Sequence, residues 1–313
     1  MTTPPSAPGP RVSSVSSVSS VSSAGSADAA VFDRRTGSPW LRRFHPGPGH
    51  PGSPHPGSLR PESPSGSAAT LVFLPHAGGS AAYYHPFSAA LAPRAEVLVA
   101  QYPGRQERIG EPVPGSIDGM VDGLLEALTP WLDRPLVLFG HSMGALIGYE
   151  LTRRLEHAGT PPRGLIASGR RSPLIERSEG VHLRDDDALI ALVGELAGTD
   201  ARLLADPDFR ALILPALRGD YHAVETHRHV SGPVLRTPVS VLTGESDARV
   251  SVPEAMAWRE STAGAFTFRG FPGGHFYLND QRDAVSRAIA EDLVAFTALA
   301  GRSAPAGRSA PAE

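Results

Sequence analysis

Short apolar runs alternate with segments of helical periodicity between residues 68 and 300. Each run is nearly continuously hydrophobic, which is typical of strands buried on both faces of a sheet. Strands separated by helices pair in parallel, because the helix carries the chain back across the sheet. The pattern therefore predicts an α/β fold with a mostly parallel central sheet covered by helices on both faces. The predicted strands span 70–74, 96–101, 135–139, 164–168, 238–243 and 265–269, and the predicted helices span 81–91, 116–132, 143–157, 186–197, 207–226, 253–262 and 281–299.

The stretch from about 172 to 235 departs from this alternation, because it is helical and contains no strand. We expect it to be an insertion that stands over the carboxyl edge of the sheet as a lid, and we call it the lid segment. Residues 1–67 are predicted to be a disordered low-complexity segment followed by a Pro/Gly-rich linker, and residues 301–313 a disordered tail. The folded domain is therefore predicted to span 68–300.

Two features of the N-terminal region bear on function. An apolar patch formed by Trp40, Leu41 and Phe44 is expected to dock on the folded domain. The three histidines His45, His50 and His55 could form a metal-binding tract, but no carboxylate or further ligand accompanies them, which favours a solvated linker.

Composition excludes several classes of function. The chain contains no cysteine, so thiol nucleophiles, disulfides and zinc–thiolate sites are ruled out. A net charge of −3 with no basic run argues against nucleic-acid binding. No stretch approaches the roughly 18 apolar residues of a membrane span, and the N-terminus lacks the apolar block of a secretory signal. We expect a cytoplasmic protein that does not bind membranes, is monomeric, and needs no metal or cofactor.

A pentapeptide of the form G-x-S-x-G, Gly140-His-Ser-Met-Gly144, lies between a predicted strand and a predicted helix. A nucleophilic serine at such a turn is held in a strained conformation, and the residues two positions away must be small because strand and helix nearly touch there. A chain with 33 glycines can contain this pattern by chance as a glycine-rich turn. The strand before it and the helix after it favour Ser142 as a nucleophile.

A serine nucleophile needs a base, and the base needs an orienting acid. Asp247 follows the predicted strand 238–243, and His275 follows the predicted strand 265–269, so both lie at the carboxyl edge that also holds Ser142. The order Ser, acid, His is that of α/β-hydrolases. Glu245 and Asp220 are rival acids, but Glu245 is close to the strand and Asp220 lies within a predicted helix.

An oxyanion hole requires two N–H donors. The first amide of the helix after Ser142, that of Met143, is one candidate. The loop after the first predicted strand contains two glycines, and the amide of Ala77 in that loop is the predicted second donor. The same glycines could cradle a phosphate, but no Gly-Lys-Ser/Thr follows them.

These motifs together resemble a type II thioesterase, the stand-alone α/β-hydrolase that accompanies polyketide and non-ribosomal peptide synthases. The resemblance spans about residues 70–280. It rests on six stretches in order: Phe73-Leu-Pro-His-Ala-Gly-Gly-Ser80, Gln101-Tyr-Pro-Gly-Arg-Gln-Glu-Arg108, Gly140-His-Ser-Met-Gly-Ala145, Ser168-Gly-Arg-Arg-Ser-Pro173, Leu214-Pro-Ala-Leu-Arg-Gly-Asp-Tyr221 and Gly273-Gly-His-Phe276.

The resemblance implies that Ser142 is the nucleophile, Asp247 the acid and His275 the base, with the Met143 and Ala77 amides as the oxyanion hole. It also implies a substrate: an acyl thioester on the phosphopantetheine arm of an acyl or peptidyl carrier protein, removed when it is aberrant or stalled. The alternatives are a general carboxylesterase or lipase, which would use the same triad, a chain-terminating thioesterase domain, and a non-catalytic hydrolase-fold binding protein. The expected contacts with the carrier or its phosphate are Arg105, Arg108, Arg170 and Arg171.

Overall fold

The computed structural model describes residues 37–48, 69–196 and 201–302. The predictions for most of the N-terminal region, including His50 and His55, and for the C-terminal tail beyond residue 302 lie outside these ranges. His45 lies within them, and its Nδ1 atom is 3.1 Å from the Ser88 hydroxyl.

A seven-stranded sheet, in the order β1-β3-β2-β4-β5-β6-β7, forms the centre of the described structure. All neighbouring strands are parallel except β1, which pairs antiparallel with β3 at one edge. This confirms the predicted α/β fold with a mostly parallel sheet. The strands are β1 (Leu41–Arg42), β2 (Thr70–Leu74), β3 (Glu96–Ala100), β4 (Leu136–His141), β5 (Gly164–Ser168), β6 (Val239–Gly244) and β7 (Phe266–Phe271).

The continuous apolar character of the strands follows from burial on both faces. Leu71 and Phe73 of β2 pack into a core on one side of the sheet, whereas Val72 and Leu74 pack into a separate core on the other side. Alternate residues of a strand point to opposite faces, so a strand covered on both sides has no polar face.

Helices cover the two faces and connect the strands. The first core receives side chains from α1 and α9, and the second from α2 and α3. The helices are α1 (His85–Leu91), α2 (Ile117–Leu128), α3 (Met143–His157), α4 (Asp186–Glu195), α5 (Ala201–Ala205), α6 (Pro207–Thr226), α7 (Val252–Met256), α8 (Tyr277–Asp280) and α9 (Arg282–Arg302). Within the described ranges, no helix combines the length and the apolar character needed to cross a bilayer.

The sheet begins earlier in the chain than the predicted domain boundary at residue 68. Leu41 is buried and pairs with Ala100 of β3, while Trp40 and Phe44 pack against the two cores. The apolar patch therefore docks as expected, and it does so as an edge strand, which no pattern in the sequence predicts.

The lid segment contains α4, α5 and α6 between strands β5 and β6. Apolar residues of these helices form a small core of their own, which includes Leu189, Leu204 and Leu217. Helix α6 begins with the side chain of Asp206 capping the amides of Asp208 and Phe209. Its predicted range, 207–226, agrees with the structure.

Candidate active site

Ser142 occupies the turn between strand β4 and helix α3. Its φ of 55° and ψ of −113° lie in a region that non-glycine residues rarely adopt. The backbone amide of Ser142 donates a 2.8 Å hydrogen bond to the carbonyl of Ser168 at the end of β5. This strained and anchored turn is the geometry expected of a nucleophile held above the sheet.

The two glycines around Ser142 are required by close packing. A Cβ atom on Gly144 would lie 1.9 Å from the Leu74 carbonyl oxygen, and one on Gly140 would lie 2.1 Å from the Gly144 carbonyl oxygen. These neighbours are backbone atoms, which cannot move aside as a flexible side chain can. Strand and helix are therefore in close contact around Ser142, as the small residues of the pentapeptide predict.

His275 and Asp247 form a buried pair at the same edge of the sheet. The Nδ1 atom of His275 lies 2.9 Å from Oδ2 of Asp247, and the other carboxylate oxygen accepts the amide of Arg249 at 2.8 Å. Because an ionised carboxylate only accepts hydrogen bonds, Nδ1 carries the proton and Nε2 is left as the basic nitrogen.

Neither rival acid contacts His275. Glu245 is exposed, and Asp220 is buried in helix α6 at hydrogen-bond distance from Arg105. The structure thus brings Asp247, rather than these two, to the imidazole.

A cavity of about 110 Å³ connects Ser142 and His275. The sheet side contributes these two residues together with the loop after β2. The opposite wall is formed by the lid segment and is largely apolar, with Val193, Leu196, Phe209, Ile213, Leu217 and Tyr221. A serine, an imidazole and an apolar wall in one cavity are suited to an ester or thioester with an apolar acyl group.

The two predicted oxyanion-hole amides belong to residues close to the serine. Met143 is the first residue of α3, and Ala77 lines the cavity. Among the residues that the structure describes, neither amide donates a hydrogen bond to another group. Both are therefore available to a ligand oxygen.

Two further histidines next to the site were not identified from the sequence. His76 lines the cavity, and its pKa is lowered to about 3 by burial and by the neighbouring His275. His141 is fully buried with its Nδ1 atom 2.9 Å from the Ser168 hydroxyl, and burial holds its pKa well below the usual value. Burial therefore keeps both rings neutral near pH 7. Both occur within the motifs quoted above, but sequence alone does not show how close they lie to His275.

Three of the four arginines expected at a carrier surface are buried instead. Arg105 is 6% exposed and binds both carboxylate oxygens of Asp220. Arg108 is 5% exposed, pairs with Glu111 and lies over the Trp40 ring. Arg171 is 6% exposed and pairs with Glu179. The expectation that these three side chains receive a carrier is therefore wrong, because each is held inside the protein by its own partners.

Arg170 is the exception. Its half-buried side chain lines a second cavity of about 300 Å³, to which α6 also contributes, and has no ion pair or hydrogen bond within the described ranges. Burial and the charge of Arg171 lower its pKa to about 9, so the guanidinium remains charged near neutral pH. The carboxylate of Glu225 in the same cavity already accepts three protein hydrogen bonds. This cavity does not include Ser142, Asp247 or His275.

In the part of the chain that the structure describes, no group of three or more His, Asp or Glu side chains could hold a metal ion.

Comparison with known proteins identifies the family of this site. Residues 69–293 match the family model described as thioesterase domain. A protein of Streptomyces griseus named as a probable cadicidin biosynthesis thioesterase is 46% identical over 258 residues, covering 82% of this chain and 67% of that protein. Thioesterase PikA5 of Streptomyces venezuelae is 42% identical over 257 residues, covering 82% of this chain and 85% of that protein.

A solved structure agrees with these matches. The type II thioesterase BorB from the borrelidin biosynthetic cluster superimposes with a TM-score of 0.71 and 44% identity. The match covers 81% of this chain and 97% of BorB.

Proposed function

Starting from the fact that this chain belongs to the thioesterase domain family, we propose that it hydrolyses acyl thioesters on the phosphopantetheine arm of acyl or peptidyl carrier proteins. Removal of aberrant or stalled acyl groups during polyketide or non-ribosomal peptide synthesis is the proposed role, and it fits a similar type II thioesterase, YbtT, which is named for the yersiniabactin NRPS/PKS pathway. The observation that carries the proposal is the single cavity in which Ser142, His275 and an apolar lid wall meet.

The proposed catalytic triad is Ser142, His275 and Asp247. Nε2 of His275 takes the proton from the Ser142 hydroxyl as the oxygen attacks the thioester carbonyl carbon. Asp247 orients the ring through Nδ1 and stabilises the imidazolium that forms. Each member of the triad thus has one proposed role.

The amides of Met143 and Ala77 are proposed to hold the oxyanion of the tetrahedral intermediate. When that intermediate collapses, the C–S bond breaks and the imidazolium of His275 protonates the departing thiolate. The acyl group remains as an ester on Ser142. His275 then takes a proton from water, which attacks the ester, and the carboxylic acid leaves as Ser142 is reprotonated.

Arg170 is the remaining candidate for contact with the carrier. Its unpaired guanidinium lines a cavity that shares helix α6 with the cavity of Ser142, and an anionic part of the carrier-bound substrate would supply the missing partner there. We propose that Arg170 binds this anionic part. Arg105, Arg108 and Arg171 take no part in this contact.

The experiment that tests the function uses a carrier protein loaded with a panel of short acyl groups, with hydrolysis followed by intact mass. We expect release of acyl groups by the wild-type protein, and a rate lower by a factor of about 10⁴–10⁶ for Ser142→Ala. Ser251→Ala, a change of a helix-capping serine outside the cavity, is the matched control. Unchanged hydrolysis by Ser142→Ala would reject the mechanism.

Matched oxygen-ester and thioester substrates separate the proposal from its main alternative. A carboxylesterase or lipase would hydrolyse the oxygen ester at least as fast as the thioester and would gain nothing from the carrier. A non-catalytic binding protein would hydrolyse neither. We expect higher kcat/KM for the carrier-bound thioester than for either small substrate.

A further inference from the structure

A buried carboxylate in the lid segment holds the loop that carries the proposed oxyanion donor. Asp220 lies in helix α6 and is fully buried. One oxygen of Asp220 accepts the amide of Gly78 at 2.7 Å. The same oxygen accepts Nη1 of Arg105 at 2.7 Å, and the other accepts Nη2 at 2.9 Å. Helix α6 is thereby hydrogen-bonded to the loop after β2.

Arg105 also contacts this loop directly. Its Nη1 atom also donates to the carbonyl of Gly79 at 3.1 Å, while its Nε atom donates to the carbonyl of Pro103 at 3.3 Å. The loop is therefore held at the Gly78 amide and at the Gly79 carbonyl. These contacts come from two segments that are distant in sequence.

These contacts matter because the residue before Gly78 is Ala77, the proposed oxyanion donor. The Gly78 amide lies in the peptide plane that follows Ala77, and the N–H of Ala77 lies in the plane that precedes it. Once the first of these planes is fixed, only the φ and ψ angles of Ala77 determine where the Ala77 N–H points. Gly78 has a φ of +73°, a conformation that favours glycine and turns the chain sharply here. An amide misplaced by about 1 Å would lose much of its stabilisation of an oxyanion.

We propose that Asp220 is a positioning residue that couples the lid to catalysis: with α6 seated, its carboxylate and Arg105 hold the Ala77 amide in place for the oxyanion. This inference rests on the proposed function, in which Ala77 supplies an oxyanion donor. Movement of α6 away from the sheet would remove an acceptor from Gly78 and weaken the oxyanion hole. An open lid would thus leave the triad intact but less active.

The test separates stabilisation of the tetrahedral state from binding of the substrate. Asp220→Asn keeps the shape of the side chain but removes its charge and replaces one of the two oxygens that accept hydrogen bonds from Arg105 with an NH₂ donor. Turnover is measured on a small acyl thioester, which excludes effects of carrier docking. Affinity is measured for a trifluoromethyl ketone that forms a tetrahedral adduct with Ser142 and for its non-electrophilic methylene analogue.

We expect Asp220→Asn to lower kcat by about 10- to 100-fold and to weaken the ketone adduct by a similar factor. KM and the affinity of the methylene analogue should stay within about 2-fold. Asp292→Asn is the matched control, because Asp292 is also buried and also binds an arginine, Arg269, at 2.8 Å and 3.0 Å, but on helix α9. It should leave both the turnover and the adduct unchanged.

If Asp220→Asn fails to fold, Arg105→Lys supplies the same test, because it keeps the positive charge and loses the two-pronged contact. A rise in KM as large as the fall in kcat would overturn the inference. An unchanged ketone affinity in a folded variant would also overturn it. Equal effects of Asp220→Asn and Asp292→Asn would also overturn it, because loss of a buried pair would then suffice. Absence of Ser142-dependent turnover in the wild-type protein would instead reject the proposed function.

Discussion

Nδ1 of His275 lies 2.9 Å from Oδ2 of Asp247, and the side chain of Asp247 is completely buried. The two residues come from loops after different strands, β7 and β6, which are neighbours in the sheet. Parallel pairing aligns the carboxyl ends of these strands, so residues 28 positions apart in the chain become hydrogen-bond partners. The sheet itself thus supplies the orientation of the imidazole.

The first prediction concerns this pair. In Asp247→Asn, the amide NH₂ would donate to Nδ1 and would favour the tautomer that carries its proton on Nε2, which cannot accept the serine proton. We expect kcat to fall by about 10³- to 10⁴-fold with a smaller change in KM, measured on an acyl thioester. Glu245→Gln, which changes an exposed carboxylate near the same strand end, should stay within about 2-fold. An equal loss in both variants would contradict the assignment of Asp247.

The second prediction concerns the contact between strand β2 and helix α3 next to Ser142. In Gly144→Ala the new methyl group would lie 1.9 Å from the Leu74 carbonyl oxygen, so either α3 or β2 must move. We expect a loss of at least about 2 kcal/mol in the free energy of unfolding, measured by urea denaturation.

Gly110→Ala is the control for this substitution, since nothing lies within 4 Å of the added carbon. It should change the stability by no more than about 0.5 kcal/mol. Equal stability of the two variants would show that strand and helix are not in close contact at Gly144.

The sequence was informative where the signal is local. The turn around Ser142, the central strands and helix α6 follow from residue patterns within a few positions, and the structure places them as predicted. Strand β1 was missed because two residues carry too little periodicity, and its pairing with β3 depends on a distant segment.

The arginines show a second case in which a distant segment decides the structure. Arg105 reads as a surface cation in isolation, but its partner Asp220 lies 115 residues later in the chain. A buried ion pair of this kind depends on the tertiary structure, so no local sequence pattern predicts it. The neutral state of His76 is hidden for the same reason, because it results from burial in the assembled site.

The third prediction follows from the lowered pKa of His76. Its pKa is about 3 in the folded protein and 6.5 in the unfolded chain, so below pH 6.5 the unfolded state binds one more proton. The contribution of His76 to the free energy of unfolding is therefore fully present above pH 6.5 and is lost as the pH falls toward 3. Between pH 7 and pH 5 this histidine should account for about 2 kcal/mol of the lost stability.

His76→Phe tests this dependence, because a phenylalanine retains the contacts with the Tyr83 and Phe276 rings and does not titrate. Urea denaturation at pH 7 and pH 5 should show a smaller loss of stability for the variant than for the wild-type protein. His157→Phe is the control, because it removes a histidine at the exposed end of α3, outside the cavity. The same pH dependence in His76→Phe and in the wild-type protein would show that His76 does not remain neutral in the fold.

The last prediction concerns Arg170, whose guanidinium lines the second cavity without a protein partner in the described ranges. Arg170→Gln should raise KM for a carrier-bound acyl thioester about 10-fold, because an anionic group of the substrate loses its counter-charge. The kcat/KM for the matched N-acetylcysteamine thioester, which carries no phosphate, should stay within about 2-fold. Arg236→Gln removes the same charge from a side chain that is 78% exposed and should affect neither substrate. Because the contact is electrostatic, the difference between wild-type protein and Arg170→Gln should shrink as salt is added. A parallel loss on both substrates would instead place Arg170 in the support of the fold, and the assignment to the carrier-bound substrate would fall.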